Sequence, residues 1–211
     1  MRPFTIARLK RNSRVLGPGC RAVVWTHGCS KRCPHCIAEE MNEAPPLFEN
    51  TASTLYDWLK NTEGIEGITI SGGEPFEQDI ETLATFLRLV KNDARRLSVM
   101  LYTGRSLEEL RKDNAIARIL ESIDILVDGP YIHELNDGCQ WRGSSNQTIH
   151  ALNAEYSDVV RDAASRFDRG IEIGLSAEMR FELTGIPSDG FMKNLERKLQ
   201  EKGYTLSQGP Q

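Results

Sequence analysis

Three cysteines lie close together in the first fifth of the chain, at positions i, i+4 and i+7. They are Cys29, Cys33 and Cys36, in a loop that follows a predicted strand. Cysteine thiolates are the usual ligands of iron–sulfur clusters, which normally take four of them. This motif has one cysteine fewer than a complete set. It therefore predicts a metal site that either recruits a ligand from elsewhere or leaves one metal position open for chemistry.

A structural zinc site is the alternative for the same cysteines, because His27 or His35 could supply a fourth ligand. Zinc sites usually contain Cys-x₂-Cys pairs, whereas three residues separate the first two cysteines here. The spacing therefore favours a cluster. The remaining cysteines, Cys20 and Cys139, have no such spacing, and we interpret them as small buried hydrophobic residues.

Size and composition are typical of a soluble globular protein with one domain, or one domain and a small appendage. The chain has 211 residues, of which 39% are hydrophobic and 27% charged. We expect no membrane segment, because no apolar run approaches roughly 18 residues, and no secretory signal, because residues 1–17 contain basic residues but no apolar h-region. An odd number of cysteines with one tight cluster favours a reducing, cytoplasmic location.

The charge distribution is uneven. The net charge of −4 argues against general nucleic-acid binding. Residues 1–38 nevertheless contain eight Lys or Arg and no Asp or Glu. This segment is interpreted either as a solvated basic face or as a positive rim around the cysteine loop. A positive rim would suit an anionic cofactor group or an acidic electron donor.

Predicted strands and helices alternate along the middle of the chain, which indicates an α/β fold with a parallel sheet and right-handed crossovers. We predict strands at 20–26, 67–71, 97–102 and 124–128, helices at 53–60, 78–91 and 106–121, and an irregular connection at 37–50. Ligands of such sheets gather at the carboxyl ends of the strands. The distinctive loops all fall there: the cysteine loop, 72–75, 103–104 and 128–130.

The loop Gly72-Gly73-Glu74-Pro75 has the composition of a ligand-binding turn. The glycines allow close approach of the backbone, whose amide and carbonyl groups can hold a zwitterion, and Glu74 adds a charge. Alone, this sequence would be an ordinary strand-end turn. Because it follows the cysteines after one βα unit, we interpret it as the second half of the same site.

These motifs together resemble a known family. Cys-x₃-Cys-x₂-Cys followed by Ser71-Gly72-Gly73-Glu74-Pro75 is similar to the radical S-adenosylmethionine superfamily. More narrowly, the segments 124–129 (Asp-Ile-Leu-Val-Asp-Gly) and 141–147 (Trp-Arg-Gly-Ser-Ser-Asn-Gln) resemble the activating enzymes of anaerobic ribonucleotide reductases. The resemblance extends over residues 17–147, about two thirds of the chain.

The resemblance implies a partial (βα) TIM-like barrel of the radical S-adenosylmethionine type. Cys29, Cys33 and Cys36 would each bind one iron of a [4Fe–4S] cluster, and the fourth iron would bind the amino and carboxylate groups of S-adenosylmethionine. One electron would then cleave this cofactor to methionine and a 5′-deoxyadenosyl radical. The residues implied at the cofactor are Ser71, Gly72, Gly73, Glu74, Pro75, Thr103, Gly104 and Asp128. For Asp128, a buried structural role stays open.

The family also implies partners. Its radical takes a hydrogen atom from a backbone glycine of a large reductase, and a small protein such as flavodoxin or ferredoxin supplies the electron. Two departures concern the target: Ile37-Ala38 replace the family's aromatic residue and Asn, and the tail is long. A same-branch enzyme acting on a ribosomal peptide or small molecule is therefore the first alternative. A non-catalytic zinc or electron-transfer module is the second.

We divide the chain into a radical S-adenosylmethionine domain at 1–162 and an extension at 163–211. The extension is predicted to contain a β-hairpin at 171–175 and 178–184 and an amphipathic helix at 191–202. It would either cover an open sheet edge or dock a protein, a peptide or a different substrate. The 141–147 segment would lie near the mouth of the site, or would simply be a polar loop anchored by its tryptophan.

Overall fold

A seven-stranded mixed sheet forms the centre of the protein. The computed structural model describes residues 4–43, 48–175 and 181–205. Numbered in chain order, the strands lie across the sheet as β3 (Phe48–Asn50), β1 (Phe4–Ser13), β2 (Arg21–Thr26), β4 (Gly67–Gly72), β5 (Ser98–Tyr102), β6 (Ile125–Asp128) and β7 (Thr148–Ala151). Strands β2, β4, β5 and β6 are parallel, and β1, β3 and β7 pair antiparallel.

Helices connect the parallel strands, and a small second sheet follows. The helices are α1 (Glu40–Glu43), α2 (Ala52–Lys60), α3 (Ile80–Lys91), α4 (Leu107–Arg111), α5 (Asn114–Leu120), α6 (Ser157–Ser165) and α7 (Phe191–Gln200). Strands β8 (Ile171–Leu175) and β9 (Phe181–Gly185) form an antiparallel hairpin. None of the helices in the described part of the chain has both the length and the apolar character needed to span a bilayer.

The core forms because strand and helix faces are apolar at the matching periods. Every residue of β2 and of β6 is buried, as expected for central parallel strands. On the helices, Leu55 and Leu59 of α2 and Leu83 and Leu87 of α3 recur every four residues and are fully buried against the sheet. This packing holds the strand ends, and hence their loops, in fixed positions.

Arg21 aligns the amino ends of three parallel strands. Its guanidinium is fully buried and donates to Thr69 Oγ1 at 2.7 Å, Ser98 Oγ at 2.9 Å and Ile68 O at 2.6 Å. Burial lowers the pKa of Arg21 to about 10. These bonds satisfy the buried charge and link β2, β4 and β5 at the end opposite the loops.

The predicted parallel strands and the helices between them are confirmed, with local differences. The capping box of Ser106 and Glu109 is present, but the helix predicted at 106–121 is divided into α4 and α5. Helix α2 is capped by Thr51, not Ser53. The connection at 37–50 is not irregular throughout, since it contains α1 and β3.

The predicted α/β fold class is confirmed. The protein is α/β with a mostly parallel central sheet, followed by a hairpin and helix. The strand order runs from β3 to β7 without returning, so among the described residues the sheet does not close. The partial TIM-like barrel remains a prediction. The proposed division at residues 162–163 falls inside α6 and also remains a prediction.

The C-terminal hairpin lies against β1 and does not extend the sheet edge. Arg8 Nη1 donates to Leu183 O at 3.3 Å, and Lys10 Nζ donates to Thr184 Oγ1 at 3.0 Å. Lys10 also pairs with Glu172 at 3.0 Å. Residues 178–180 of the predicted second strand lie outside the described residues, and β9 ends at Gly185.

Candidate functional site

A cavity of about 530 Å³ is open to solvent at the carboxyl ends of the parallel strands. Loops that are far apart in sequence meet there, as the topology predicts. Of the residues predicted for the site, those that line the cavity are Cys29, Cys33, Cys36, Ser71, Gly72, Gly73, Glu74, Thr103 and Gly104. The cysteine triplet and the Gly-Gly-Glu turn therefore belong to one cavity.

The cysteine loop is held to the rest of the protein through its flanks. Ser30 donates from its amide to Glu77 Oε2 at 2.8 Å and from its hydroxyl to the same carboxylate. His27 O accepts from Gln78 Nε2 at 2.8 Å. Within the loop, Arg32 and His35 have positive φ angles of 43° and 56°, a conformation that non-glycine residues rarely adopt. The surrounding contacts thus maintain a turn that is locally unfavourable.

All five cysteines are free thiols, and the three in the loop are partly exposed. Burial raises the pKa of Cys29 and of Cys36, although the amide of Lys31 opposes this for Cys29 and that of Ala38 for Cys36. Metal-bound cysteine is a thiolate. Metal binding at these residues must therefore release protons, and it becomes more favourable as the pH rises.

The glycine turn serves first to hold the cysteine loop. The amide of Gly73 donates to Thr26 O at 2.7 Å, and the amide of Glu74 donates to Gly28 O at 3.0 Å. A Cβ atom on Gly73 would lie 2.1 Å from Gly28 O. The Gly73 amide, which the sequence suggested as a ligand contact, is thus directed at the protein, as is the amide of Glu74. The turn places two backbone segments in direct contact immediately before Cys29.

Glu74 connects the ends of β4 and β5. It is 2% exposed, and its carboxylate accepts from Thr103 Oγ1 at 2.8 Å, Gly104 N at 2.8 Å and Phe76 N at 3.2 Å. Burial raises the pKa of Glu74, and these three donors oppose that effect. The Lys31 side chain passes over Gly104 from the cysteine loop, within the same cavity. Glu74 therefore joins the two predicted cofactor loops through hydrogen bonds that sequence alone cannot specify.

Replacing Glu74 with alanine is expected to lower the free energy of unfolding by about 1–3 kcal/mol, because buried donors lose their acceptor. Urea denaturation measures this change. Glu108→Ala is the matched control, since that carboxylate is 83% exposed and pairs with the exposed Lys112. The control should leave the stability almost unchanged, because an exposed ion pair contributes little. Equal effects of the two substitutions would contradict the role assigned to Glu74.

Pro75 and Asp128 do not line the cavity among the described residues. Pro75 begins a short 3₁₀ turn, Pro75–Glu77, that follows the glycine turn. Asp128 is buried and accepts from Leu107 N at 2.6 Å, at the start of α4. Nε2 of His150 lies 3.0 Å from Asp128 Oδ1. These contacts match the structural role that was left open for Asp128.

The 141–147 segment is a loop attached to the end of β6. Gln147 accepts from the Gly143 amide at 2.8 Å and donates to Gly129 O at 2.8 Å. Asn146 donates to Pro130 O at 2.7 Å, and Trp141 is buried. Gly143 and Gln147 both line the cavity. The loop therefore lies beside the site, as predicted, and its tryptophan anchors it.

Part of the cavity wall was not predicted. Arg8, Trp25 and Tyr102 line it, as do residues 181–187 of the hairpin and its continuation. Arg8 was missed because β1 was not recognised as a strand. Tyr102 had a usable signal, since it is the last residue of β5 and directly precedes Thr103.

The donor set suits an iron–sulfur cluster. Three soft thiols line one cavity, and the glycine turn beside them has no room for a side chain at Gly73. In the described ranges, no three His, Cys, Asp or Glu side chains are grouped to hold a single metal ion. His35 lies against His133, with ring centroids 4.8 Å apart. The three cysteines are not such a group either, so the preference for a cluster over zinc rests on their spacing.

Comparisons with known proteins agree with these features. Residues 15–150 match the model of the family described as 4Fe-4S single cluster domain. The chain is 30% identical over 144 residues to the anaerobic ribonucleoside-triphosphate reductase-activating protein of Escherichia coli K12, covering 65% of this chain and 92% of that protein.

Two further relatives carry the same description. The Haemophilus influenzae protein is 34% identical over 142 residues, covering 64% of this chain and 90% of that protein. The protein of Enterobacteria phage T4 is 32% identical over 139 residues, covering 64% and 86% respectively. The chain therefore belongs to the 4Fe-4S single cluster domain family, with the anaerobic ribonucleoside-triphosphate reductase-activating proteins among its relatives.

Proposed function

We propose that this protein is a radical S-adenosylmethionine activating enzyme that generates a glycyl radical on an anaerobic ribonucleotide reductase. One observation carries the proposal: three free cysteines line the same cavity as the Gly-Gly-Glu turn, in a chain of this family. The relatives are activating proteins of anaerobic ribonucleoside-triphosphate reductases, and we propose such a reductase as the partner of this chain.

Cys29, Cys33 and Cys36 would hold three irons of a [4Fe–4S] cluster and leave the fourth for S-adenosylmethionine. When bound, the cluster and S-adenosylmethionine would together supply one-electron cleavage of a carbon–sulfur bond, the radical chemistry needed to remove a hydrogen atom from a partner glycine. The protein contributes binding, orientation and exclusion of water. The three thiols must lose their protons to bind the cluster. Burial opposes this at Cys29 and Cys36, because it raises the pKa of both.

The turns after β4 and β5 would position the cofactor. Ser71, Gly72 and Gly73 allow close approach to its methionyl part, since they line the cavity without long side chains. Glu74 would contribute mainly by holding Thr103 and Gly104 in place, because three donors of the protein already occupy its carboxylate. Pro75 and Asp128 would support the site from outside the cavity. Pro75 begins the 3₁₀ turn that follows the glycine turn, and Asp128 accepts a hydrogen bond at the start of α4.

A one-electron donor is required, and we propose a cytoplasmic flavodoxin or ferredoxin. Such proteins are small and acidic. Lys31 and Arg32 are exposed in the cysteine loop itself, so they offer a positive surface beside the cluster. Attraction between opposite charges would orient the donor and raise the rate of encounter at low salt.

A second candidate is a same-branch enzyme that modifies a peptide or a small molecule. It is favoured by the hairpin, which lines the cavity and lies outside the residues matched by the family model. A hairpin at this position would narrow the space available to a loop of a large protein. The two candidates share the cofactor chemistry and differ only in the acceptor.

Anaerobic reconstitution tests the shared chemistry. We expect about four irons per chain, with absorbance near 400 nm, as cysteine-bound clusters show. Dithionite and S-adenosylmethionine should then yield 5′-deoxyadenosine. Adding the anaerobic reductase of the same genome should give a glycyl radical that electron paramagnetic resonance detects. Cofactor cleavage without a reductase radical would favour the second candidate, and one bound zinc without iron would exclude both.

A further inference from the structure

A second opening borders the cysteine loop, and we call it the Cys29 groove. It has a volume of about 500 Å³ and is lined by Thr5, His27, Gly28, Cys29, Ser30, Arg32, Glu77 and Gln78. In the part of the chain that the structure describes, Cys29 is the only residue that lines both this groove and the cavity. A cluster bound in the cavity could therefore be approached from the groove through Cys29.

The floor of the Cys29 groove is held by hydrogen bonds between three parts of the chain. Gln78 Nε2 donates to His27 O at 2.8 Å, and Gln78 Oε1 accepts from Thr5 N and Thr5 Oγ1, both at 3.0 Å. Glu77 accepts from Ser30 N at 2.8 Å and also from the Ser30 hydroxyl. These bonds join β1, the cysteine loop and the turn after β4, so the surface is formed before any partner binds.

The two exposed cations of the cysteine loop line different openings. Lys31 lines the cavity, where its side chain passes over Gly104. Arg32 lines the Cys29 groove, and its exposed side chain makes no hydrogen bond or ion pair within the described ranges. The carboxylate of the groove, Glu77, is instead engaged by Ser30. Arg32 is therefore the charge that the groove offers to a partner.

The Cys29 groove suits the delivery of an electron. The proposed cofactor and the acceptor of its radical both use the cavity, so a reductant that entered there would compete with them. Electron transfer makes and breaks no bond, and it requires only that two redox centres come close, since its rate falls steeply with distance. The groove permits such an approach at Cys29, and Arg32 attracts an acidic surface. A small acidic one-electron carrier protein meets both conditions.

We propose that the Cys29 groove is the docking surface of an acidic electron-carrier protein, with Arg32 as its positive contact and Cys29 as the cluster ligand nearest to the carrier. The reduced carrier loses one electron, the oxidised cluster gains it, and no proton or group is transferred. This inference rests on the proposed function, which requires the electron, and on the family of the chain, which implies the cluster. The carrier and the acceptor would then use separate openings.

The test changes the charge of Arg32 and compares it with two other positions. Arg32→Gln removes the charge, Arg32→Lys keeps it, and Lys31→Gln removes the neighbouring charge on the cavity side. Arg118→Gln is the matched control, because Arg118 is exposed on α5 and lines neither opening. All four variants should bind iron like the wild type, since none of them replaces a cysteine.

The first readout is binding, and it needs no turnover. The dissociation constant between the reconstituted protein and the flavodoxin of the same genome should rise about threefold to tenfold in Arg32→Gln at low salt and recover in Arg32→Lys. The effect should shrink at high salt, because salt screens exposed charges. In the wild type, flavodoxin should slow amide hydrogen exchange at residues 27–32 and 77–78. Protection confined to residues that line the cavity would overturn the inference.

The second readout is the rate at which the protein oxidises reduced flavodoxin, followed by the flavin absorbance. Arg32→Gln should slow this step about threefold to tenfold. Reduction of the cluster by dithionite should stay unchanged, because so small a reductant needs no docking surface. A larger effect of Lys31→Gln would place the carrier at the cavity and overturn the inference. Saturating amounts of the anaerobic reductase should not slow the wild type, and competition between the two proteins would overturn it as well.

Failure of the inference and failure of the proposed function give different results. Unchanged flavodoxin binding and oxidation in Arg32→Gln, with 5′-deoxyadenosine still formed from dithionite and S-adenosylmethionine, would refute the inference alone. A wild type that does not cleave S-adenosylmethionine would instead refute the proposed function. The affinity for flavodoxin and the rate of its oxidation would still decide the inference in that case.

Discussion

Replacing Cys33 with alanine is expected to abolish cluster binding and, with it, cleavage of S-adenosylmethionine. Cys33 is a free, partly exposed thiol between Cys29 and Cys36 in sequence, and all three line one cavity. Two remaining thiolates cannot hold three irons. We expect the iron content to fall from about four per chain to near zero. Formation of 5′-deoxyadenosine should drop more than about 100-fold, beyond the usual effect of losing an outer-sphere partner.

Cys20 and Cys139 provide the controls for this experiment. Both are buried, and neither lines the cavity. The Cys139 thiol lies 3.5 Å from Ala164 O and 3.6 Å from Ala163 O, near the end of α6. Cys20→Ala and Cys139→Ala should retain iron and activity. Iron bound at the wild-type level by Cys33→Ala would show that another residue supplies the ligand, and loss of iron in Cys139→Ala would identify a candidate for it.

The cofactor side of the site could be predicted from sequence because its information is local. The spacing of Cys29, Cys33 and Cys36 lies within eight residues, and the glycine turn lies within four. The alternation of strands and helices then brings both to the same sheet edge, since parallel strands end on the same side. Local motifs and this one topological rule were sufficient to predict that the cysteine loop and the glycine turn meet. The resemblance to the family followed from the same residues.

The cavity wall formed by β1 and the C-terminal hairpin could not be predicted, because its contacts link residues far apart in sequence. Arg8 and Leu183 are separated by 175 positions and meet through one hydrogen bond. Strand β1 carries three basic residues, and the basic segment to which they belong was interpreted either as a solvated face or as a positive rim around the cysteine loop. In the structure, Arg8 and Lys10 bind the hairpin. Charge pattern alone does not distinguish a partner in the same chain from solvent.

Glu74 illustrates another reason why the roles of site residues could not be predicted from sequence alone. Its position in a ligand-binding turn suggested a direct contact with the cofactor, and it does line the cavity. The structure adds three protein donors, two of them on the turn after β5. A carboxylate in a loop can bind a ligand or hold the loop, and only the positions of nearby donors decide between these roles. Residue type and spacing carry no such information.

Gly73→Ala is expected to disturb the cluster site through the backbone. The added Cβ would lie 2.1 Å from Gly28 O and 2.7 Å from Gly28 C, and neither atom can move without displacing Cys29. We expect a loss of stability of about 1–3 kcal/mol or more, as overpacking usually causes, together with low iron content after reconstitution. Gly174→Ala is the matched control in β8, because its nearest neighbour lies 3.8 Å away. Normal stability and full iron loading of Gly73→Ala would mean that the turn after β4 does not position the cysteine loop.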